Sequence, residues 1–423
     1  MTFQRADILL PNFSADSEKM KSWSVVACDQ YTSEPEYWRS VSESVRGKYS
    51  ALNLVVPEIY LNDGDIEERI RNTNAVMNQY IDDGIFCEHK NTYIFVVRTL
   101  ASGVKRLGIV GSVDLEDYNY EKDSQTKIRA TEGTVISRIP PRLKVRREAT
   151  VELPHIMLLI DDISKEIVEA NLENLDDFEK LYDFDLMQDS GHIAGYKMSE
   201  AACKRLDEKL AALDDLTVFN QKYGVTKDCP LIYAMGDGNH SLATAKTHYE
   251  NLKKEIGEEE AKKSPARYAL CELVNLHDDS LVFEAIHRVV FGADGEAFLA
   301  ALQKEYEVSF EKNAVGQKFV VVFDGQEKTV TITNAKEYLT VATVQKFMDE
   351  FISKNGGEVD YIHGEDVVRK LCQNKDNLGI VLDAMDKSDL YKSVILDGAL
   401  PRKTFSMGDA CDKRFYTEAR KIK

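Results

Sequence analysis

Short apolar segments that alternate with amphipathic segments constrain the fold of this chain more than any other feature. Residues 155–160 and 231–235 carry no acidic or basic side chain except one histidine and have the length of a buried strand. Residues 64–82 and 199–215 repeat apolar side chains every three or four positions, as a helix with one buried face does. This alternation predicts an α/β protein with a mixed sheet and flanking helices.

The last third of the chain has a different pattern, which predicts a second unit. Residues 318–333 are expected to form a hairpin with its turn at Asp324 and Gly325. Two helices and one strand are expected after it, at 342–354, 364–374 and 394–396. We therefore predict an α/β core with an N-terminal extension over residues 1–300, and a C-terminal α+β unit over residues 301–423 that packs back on the core.

The balance of charges excludes one class of partner. The 54 basic and 72 acidic residues give a net charge of 54 − 72 = −18 at pH 7. Such a surface repels phosphate backbones, so nucleic acid is not expected as a partner. Residues 138–147 nevertheless hold four arginines and one lysine, which form either a pocket for a small anion or a solvated face. The polar stretch 117–150 that contains them predicts a long functional loop with short structured pieces.

The cysteines and the apolar runs indicate where the protein works. The seven cysteines are odd in number, widely spaced and without a Cys-x-x-Cys pair, which predicts reduced thiols rather than disulfides or a zinc site. Arg5 and Asp7 interrupt the N-terminal region, which does not have the pattern of a signal peptide. No run of about 18 apolar residues is present, so no membrane span is expected. These features predict a cytoplasmic protein.

The most informative local feature is the sequence Gly-Asp-Gly-Asn-His-Ser at residues 236–241, between a predicted strand and a predicted helix. Glycines permit positive φ and leave backbone N–H groups uncovered. The start of a helix adds unpaired amides and partial positive charge, so the turn is a candidate seat for phosphate or carboxylate. Asp237 could accept a proton or help hold a metal ion, and His240 could donate to a phosphate or shuttle a proton. The alternative is a tight turn in which Asp or Asn only caps the helix.

Four segments resemble those of one family, known as domain of unknown function 1015, and occur in the family's order. Residues 237–245 resemble its Asp-Gly-His-His-Arg-Tyr-x-Thr-Ala signature, and residues 129–134 resemble its His-Glu-x-Thr segment. Residues 286–290 resemble its Thr-His-Arg strand, and residues 400–405 its Met-Pro-x-Lys-Ser/Thr-x-Phe ending. At one further remove, the turn resembles the phosphate-binding turn of the ParB/sulfiredoxin superfamily, which includes free-serine kinases. This implies a ParB/sulfiredoxin-like core at about residues 90–290 with additional α+β units.

The resemblance assigns roles to residues far apart in the chain. The candidate acid–base residues are Asp237, Glu132 and His240; the candidate phosphate or cofactor contacts are Gly238, Asn239, Ser241, Arg288, Lys403 and Thr404; the candidate substrate contacts are His287, Arg129 and Thr134. For His287 and Arg288, a buried structural pair is the alternative. For Lys403 and Thr404, the alternative is a basic surface turn.

Two departures from the family pattern affect the expected chemistry. Ser241 stands in place of the signature arginine, and Asn239 in place of its first histidine. An arginine binds phosphate with two hydrogen bonds, whereas a serine offers one neutral bond. The missing charge would then come from another residue, for which the candidates are Arg142, Arg146, Arg288 and Lys403.

The resemblance implies phosphoryl transfer or phosphate-ester hydrolysis on a small anionic metabolite. Serine or phosphoserine is the expected substrate by analogy, with ATP or ADP and magnesium as expected cofactors. The first alternative is a non-catalytic protein that senses a nucleotide or phosphometabolite, which the serine at position 241 favours. The second alternative is a structural or interaction protein. The sequence leaves the oligomeric state open.

Overall fold

The computed structural model describes residues 1–121 and 123–423, and the chain divides into two compact units. Unit 1 comprises Met1–Ala130, Thr134–Leu281 and Gly408–Lys423; unit 2 comprises Thr131–Gly133 and Val282–Met407. Lys122, which belongs to the predicted loop of residues 117–150, lies outside the described residues.

A mixed sheet runs through unit 1, and within the described residues it has nine strands. In chain order they are β1 (Phe3–Gln4), β2 (Ile94–Thr99), β3 (Lys105–Asp114), β4 (Ile128–Arg129), β5 (Met157–Ile160), β6 (Glu179–Asp185), β7 (His192–Lys197), β8 (Tyr233–Asp237) and β9 (Tyr268–Asn275). The strand order is β6–β7–β2–β3–β9–β5–β8–β4, and β1 pairs with β3. The pairs β9–β5 and β8–β4 are parallel and the other pairs are antiparallel. The predicted α/β class with a mixed sheet and flanking helices is confirmed.

The helices of unit 1 supply the layers that cover this sheet. They are α1 (Ser17–Trp23), α2 (Pro35–Ser44), α3 (Ile66–Asp82), α4 (Ile139–Arg147), α5 (Glu200–Ala212), α6 (Leu216–Tyr223), α7 (Asn239–Ile256) and α8 (Glu258–Ala261). Helix α4 is a structured piece of the predicted loop of residues 117–150. It tolerates Pro140 and Pro141 because the first turn of a helix needs no N–H donor there.

Side chains of the sheet alternate between two buried clusters. Ile94 and Val96 of β2 belong to the cluster that includes Trp23 and Leu54, whereas Phe95 between them belongs to the cluster that includes Leu242 of α7. This is the period-two pattern of a strand that is covered on both faces.

Two short strand pairs join residues 415–421 to earlier segments of unit 1. Val25–Val26 pairs with Phe415–Tyr416, and Val151–Glu152 pairs with Arg420–Lys421. A third pair joins Ala6–Pro11 to Phe86–Thr92. The first two pairs place Tyr416 beside the segments that follow residue 26 and residue 152, where the candidate site lies.

Unit 2 contains a smaller sheet, with six strands among its described residues. They are β10 (His287–Phe291), β11 (Val308–Ser309), β12 (Gln317–Phe323), β13 (Gln326–Ile332), β14 (Glu358–Ile362) and β15 (Asn377–Val381), in the order β11–β13–β12–β15–β10–β14. Its helices are α9 (Gly295–Glu305), α10 (Thr340–Asn355), α11 (Glu365–Leu371) and α12 (Asp389–Asp397), and Phe283–Ala285 pairs with Phe405–Met407.

The structure confirms one predicted element of unit 2 and corrects another. Strands β12 and β13 form the hairpin predicted for residues 318–333. The strand predicted at residues 394–396 is wrong, because these residues lie in α12. Leu390, Val394 and Ile395 are buried at helical spacing, and a three-residue apolar run does not distinguish one helix face from a short strand.

None of the helices in the described part of the chain combines the length and the apolar character needed to cross a bilayer.

Candidate functional site

The predicted turn lies at the junction of β8 and α7, with Gly238 between them. Gly238 has φ +79°, in the left-handed region, and a Cβ added there would lie 2.9 Å from the Cα atom of Ile156. Both the backbone conformation and the close approach require glycine. The carbonyl of Gly238 accepts the first helical hydrogen bond, from the amide of Leu242 at 3.0 Å. The predicted strand–turn–helix arrangement is confirmed.

The N-terminus of α7 lacks a capping side chain among the described residues. The amide of Gly238 donates to the Oδ1 atom of Asp237 at 2.8 Å, which satisfies one donor. The amides of Asn239, His240 and Ser241 belong to the first turn, where a helix offers no carbonyl partner. The first turn of α7 therefore keeps donors and partial positive charge for an anion.

His155 connects this helix start with the segment after Val25–Val26 that contains Asp29. The imidazole of His155 is buried; its Nε2 atom lies 3.3 Å from the Oγ atom of Ser241 and 3.5 Å from the Oδ2 atom of Asp29. Its Nδ1 atom lies 2.9 Å from the hydroxyl of Tyr416, which also accepts a hydrogen bond from the amide of Cys28. Four separate stretches of unit 1 thus meet at one imidazole.

The charges of Asp29 and His155 stabilise each other. Burial alone would lower the pKa of His155, but the carboxylate of Asp29, and then those of Asp237 and Glu58, raise it above its usual value. Burial alone would raise the pKa of Asp29, but the imidazolium of His155 and a hydrogen bond from Gln30 bring it well below its usual value. The favoured state is an ionised aspartate beside a protonated histidine.

This arrangement differs from the relay of a serine hydrolase. In such a relay, the two ring nitrogens of the histidine face the serine and the aspartate separately. Here, Ser241 and Asp29 both lie near Nε2, and Tyr416 occupies Nδ1. Burial raises the pKa of the neighbouring Cys28 thiol to about 12, which makes it a poor nucleophile at neutral pH.

A cavity of about 140 Å³ opens beside His155 and Ser241. Its walls are mainly apolar and include Leu54, Met77, Val145, Ala149, Leu153 and Ile156. Arg142 and Arg146, one turn apart on α4, also line it. Arg142 is paired with Glu58 and Arg146 with Glu152, but the buried Nε atom of Arg146 has no hydrogen-bond partner among the described residues. The two guanidinium groups place positive charge on the wall of the cavity, where each is balanced by a carboxylate.

The turn residues Asp237 and His240 have protein partners of their own. The Oδ2 atom of Asp237 lies 3.5 Å from the Nζ atom of Lys413, in addition to the bond from the amide of Gly238. The Nε2 atom of His240 accepts from the amide of Val135 at 3.3 Å. Burial, with the charges of nearby arginines, lowers the pKa of His240 to about 4. His240 is therefore neutral near pH 7. Its predicted role in proton transfer near neutral pH would need a bound ligand that raises its pKa.

Of the predicted segment 129–134, the residues that belong to unit 1 lie next to the turn. Arg129 of β4 pairs with Ala234 of β8, and Val135 contacts His240. Arg129 donates to the carbonyls of Thr126 and Cys229, but one of its terminal nitrogens is buried and has no partner within residues 1–121 and 123–423. Burial lowers the pKa of this guanidinium. The Oγ1 atom of Thr134 and the Oδ1 atom of Asn239 are likewise buried and have no partner among the described residues.

The other predicted site residues belong to unit 2. Arg288 is fully buried and donates to Gln345 and to the carbonyls of Ile286 and Lys403, and burial lowers its pKa to about 10. The Nδ1 atom of His287 accepts from the amide of Leu382, and burial lowers its pKa.

In the same unit, the hydroxyl of Thr404 donates to the carbonyl of Pro401. Lys403 is exposed and has φ +57°, and Glu132 pairs with Leu400 in an isolated parallel bridge. Their predicted roles stay predictions.

Two residues at the heart of the site were not identified from the sequence. Asp29 lies in a polar stretch after a short apolar step, and His155 begins an apolar strand. The available indication was the presence of ionisable side chains at strand ends. Arg142 and Arg146 were foreseen as possible sources of positive charge, and both line the cavity.

The donor set does not favour a metal ion held by the protein alone. No group of three or more ligating side chains suited to a metal ion occurs in residues 1–121 and 123–423. Near the turn, each of three carboxylates faces a cation: Asp29 faces His155, Glu58 faces Arg142 and Asp237 faces Lys413. The side chains present do not fit a protein-made magnesium site.

Comparison with known proteins identifies a family. A family model described as "Protein of unknown function (DUF1015)" matches residues 9–351, so the predicted resemblance is confirmed. No curated protein matches the chain.

Several solved structures share a distant likeness. A conserved hypothetical protein from Pyrococcus furiosus is 12% identical, with 76% of this chain and 97% of that chain covered and a TM-score of 0.36. A free serine kinase in complex with AMP is 13% identical, with 74% and 90% covered and a TM-score of 0.38. SbnI with a C-terminal truncation, from Staphylococcus aureus, is 8% identical, with 73% and 85% covered and a TM-score of 0.37. At such low TM-scores, these likenesses support no function.

Proposed function

The chain belongs to this family, and we propose that it binds a phosphate-bearing small metabolite at the N-terminus of α7 and catalyses phosphoryl transfer or phosphate-ester hydrolysis there. The observation that carries the proposal is the proximity of two features, the uncapped amides of α7 and the ionised pair Asp29–His155 beside Ser241, to a cavity that Arg142 and Arg146 also line. Together they provide an anion seat with an acid and a base at its edge.

In this proposal, the phosphate oxygens accept from the first amides of α7. Asp29 accepts the proton of the attacking hydroxyl group or water as the new oxygen–phosphorus bond forms. His155 gives its Nε2 proton to the leaving oxygen as the old bond breaks, and the proton on Asp29 then returns to His155. The short separation of the Asp29 carboxylate and the His155 imidazole, 3.5 Å, suits this return.

The predicted cofactors fit only in part. A volume of 140 Å³ admits on the order of ten water-sized groups, which is less than a complete nucleotide. An ATP or ADP donor would therefore place only its terminal phosphates at α7, with its base outside this cavity. Magnesium would have to be held largely by those phosphates, and no step above uses it.

The substrate, the core fold and the cellular location in this proposal are taken from the sequence analysis. Serine and phosphoserine stay the first compounds to assay, and a ParB/sulfiredoxin-like core stays a prediction. The seven cysteines are free thiols, which suits a cytoplasmic location.

The alternative is a sensor that binds the same anion without turnover. The engagement of Asp237 with the amide of Gly238 and with Lys413 favours it, because one predicted base already has protein partners. The sensor needs the anion seat but not the proton transfer by Asp29.

A turnover assay with variants separates the two functions. ATP or ADP would be supplied with serine or phosphoserine, and release of phosphate from simple phosphate esters would be followed in parallel. We expect Asp29→Asn to lower turnover at least about 100-fold while phosphate still binds. Glu43→Gln, which changes an exposed carboxylate on α2, is the matched control and should leave turnover unchanged.

Binding of phosphate without turnover of any of these compounds would favour the sensor. Failure of the wild-type protein to bind phosphate or pyrophosphate in calorimetry would contradict both functions.

A further inference from the structure

The cavity of about 140 Å³ beside His155 is a gap in a hydrophobic core. The lining residues that belong to the buried cluster around Trp23 are Leu54, Met77, Ala149, Val151, Leu153 and Ile422. Each of them is less than a tenth exposed. Protein interiors are close-packed, and a cavity lowers stability in proportion to its volume. A gap of this size in a core is therefore a candidate site for a ligand.

The charged side chains that line the cavity are balanced within the protein. The pairs are Arg142 with Glu58, Arg146 with Glu152, and His155 with Asp29. Glu152 also accepts from Arg420 and from the amide of Leu270. A charged ligand would lose its hydration here, and none of the charges on the described lining lacks a counterion. The lining therefore disfavours an anion and a cation alike.

Water is also a poor occupant of the inner part of the cavity. The side chains of Leu54, Met77 and Leu153 offer no strong hydrogen-bonding atom, whereas a buried water normally makes about three hydrogen bonds. The hydroxyl of Thr244 already donates to the carbonyl of His240. An apolar cavity of about 150 Å³ in another protein stays dry and binds benzene. The volume of 140 Å³ thus suits a hydrocarbon of about six non-hydrogen atoms.

We infer that this cavity binds a small uncharged molecule that is mostly hydrocarbon and has about six non-hydrogen atoms. Its hydrocarbon part packs against Leu54, Met77 and Leu153. The hydroxyl of Ser241, 3.3 Å from the Nε2 atom of His155, supplies one uncharged hydrogen-bonding group for an oxygen of the ligand. The inference goes beyond the proposed function, because it does not need a phosphate at the start of α7.

A titration that observes methionine methyl groups tests the inference on the full chain. The protein is labelled with carbon-13 at its methionine methyls and titrated with 1-pentanol, and Met77→Leu assigns the signal of Met77. We expect the signal of Met77, which lines the cavity, to shift saturably. The signal of Met348, which is buried in α10 of unit 2, should keep its position.

The charge and the length of the probe are varied separately. Butanoate and pentylammonium have the same number of non-hydrogen atoms as 1-pentanol, but each carries a charge. Both ions should bind at least about tenfold more weakly than the alcohol, because they lose their hydration without gaining a counterion. Among the alcohols, each methylene from propanol to pentanol should tighten binding about fourfold. The gain should stop near hexanol, where the cavity is full.

Two variants that replace alanine with leucine tie binding to this cavity. Ala149→Leu fills the cavity beside α4 and should abolish the saturable shift of Met77. Ala212→Leu makes the same change at an exposed position of α5 and should keep the shift. If Ala149→Leu does not fold, Leu54→Ala serves instead, because it enlarges the cavity and should extend the gain beyond hexanol.

The outcomes decide the inference independently of the proposed function. A shift of Met77 that favours neutral alcohols, is lost in Ala149→Leu and persists in Ala212→Leu supports it. Binding of either ion within about tenfold of 1-pentanol overturns it, as does a Met77 signal that responds to none of the alcohols. Retention of the shift in Ala149→Leu, or its loss in Ala212→Leu, overturns it as well. Phosphate binding in calorimetry tests the proposed function separately, so either can fail while the other stands.

Discussion

Polar residues from the segments shared with the family differ between the two units in their hydrogen bonding. Those around Arg288 in unit 2 have partners within the protein, whereas some of those near α7 in unit 1 lack one in the described part of the chain. In unit 2, Arg288 donates to Gln345 and to three carbonyls, and Thr404 donates to the carbonyl of Pro401. In unit 1, buried polar atoms of Arg129 and Thr134 have no partner among the described residues.

The difference teaches that a shared sequence pattern does not by itself mark a ligand contact. Polar groups whose partners lie within the protein stabilise the fold, whereas a buried polar group without a partner can still be satisfied by water or by a ligand. On this basis we expect unit 2 residues to affect stability first and unit 1 residues to affect ligand affinity first.

The largest expected effect concerns the buried arginine of unit 2. Arg288→Gln should lower the free energy of unfolding by about 3 kcal/mol, because it leaves buried carbonyls without a donor. Arg402→Gln is the matched control; its side chain is 60% exposed and faces Asp349, so the change should be at most about 1 kcal/mol. Urea denaturation measures both. If the Arg288→Gln protein were stable but had lost phosphate affinity, Arg288 would act on ligand binding and not on stability, which would contradict the expected difference between the units.

A change of the turn glycine should have the next largest effect, and in unit 1. Gly238→Ala should destabilise by about 2 kcal/mol and abolish phosphate binding, because alanine disfavours φ +79° and its Cβ meets Ile156. Gly224→Ala is the matched control, with φ +66° and no atom within 4 Å of the added Cβ. It should cost about 1 kcal/mol and leave phosphate affinity unchanged. Thermal unfolding and calorimetry together distinguish the two effects.

The charge of His155 should make anion binding depend on pH. Because Asp29 raises the pKa of His155, the imidazolium is present at its usual pKa of 6.5 and is lost as pH rises through the higher value in the folded protein. We expect sulfate affinity to fall about tenfold as the pH rises from 6 into the alkaline range. Sulfate keeps its charge over this range, and His240, with a pKa of about 4, stays neutral. A pH profile as steep in His155→Gln as in the wild type would contradict this assignment.

The smallest expected effects come from a pair of threonines, one in each unit. Thr404→Val should lower stability by about 1 kcal/mol, because its hydroxyl bonds the carbonyl of Pro401 at 2.7 Å. Thr134→Val should leave stability nearly unchanged, since its buried Oγ1 atom has no partner among the described residues. Phosphate affinity should fall only in Thr134→Val. Equal losses of stability in both variants would show that the hydroxyl of Thr134 has a structural partner after all.

The sequence predicted those parts of the fold that depend on local patterns. The β8–α7 turn and the hairpin of β12 and β13 follow from glycine conformation and strand alternation, which act over a few residues. The strand predicted at residues 394–396 was wrong because burial in α12 depends on packing that three residues do not reveal.

The candidate site was harder to predict, because its members meet only through long-range pairing. The turn was found from its glycines, but Asp29 contacts His155 across 126 residues of sequence (155 − 29). The pairing of Val25–Val26 with Phe415–Tyr416 sets the position of Tyr416, and no local pattern encodes that pairing. The pKa shifts likewise arise from burial and from neighbours that only the folded chain supplies.

The position of Tyr416 beside His155 has a consequence for synthesis of the protein. A ribosome that has translated β5 and α7 has not yet made the residue that faces the Nδ1 atom of His155. The ion pair of Asp29 and His155 therefore acquires its full surroundings only after residue 416 has been translated. A nascent chain released before that residue would have the start of α7 without the hydroxyl that faces the imidazole.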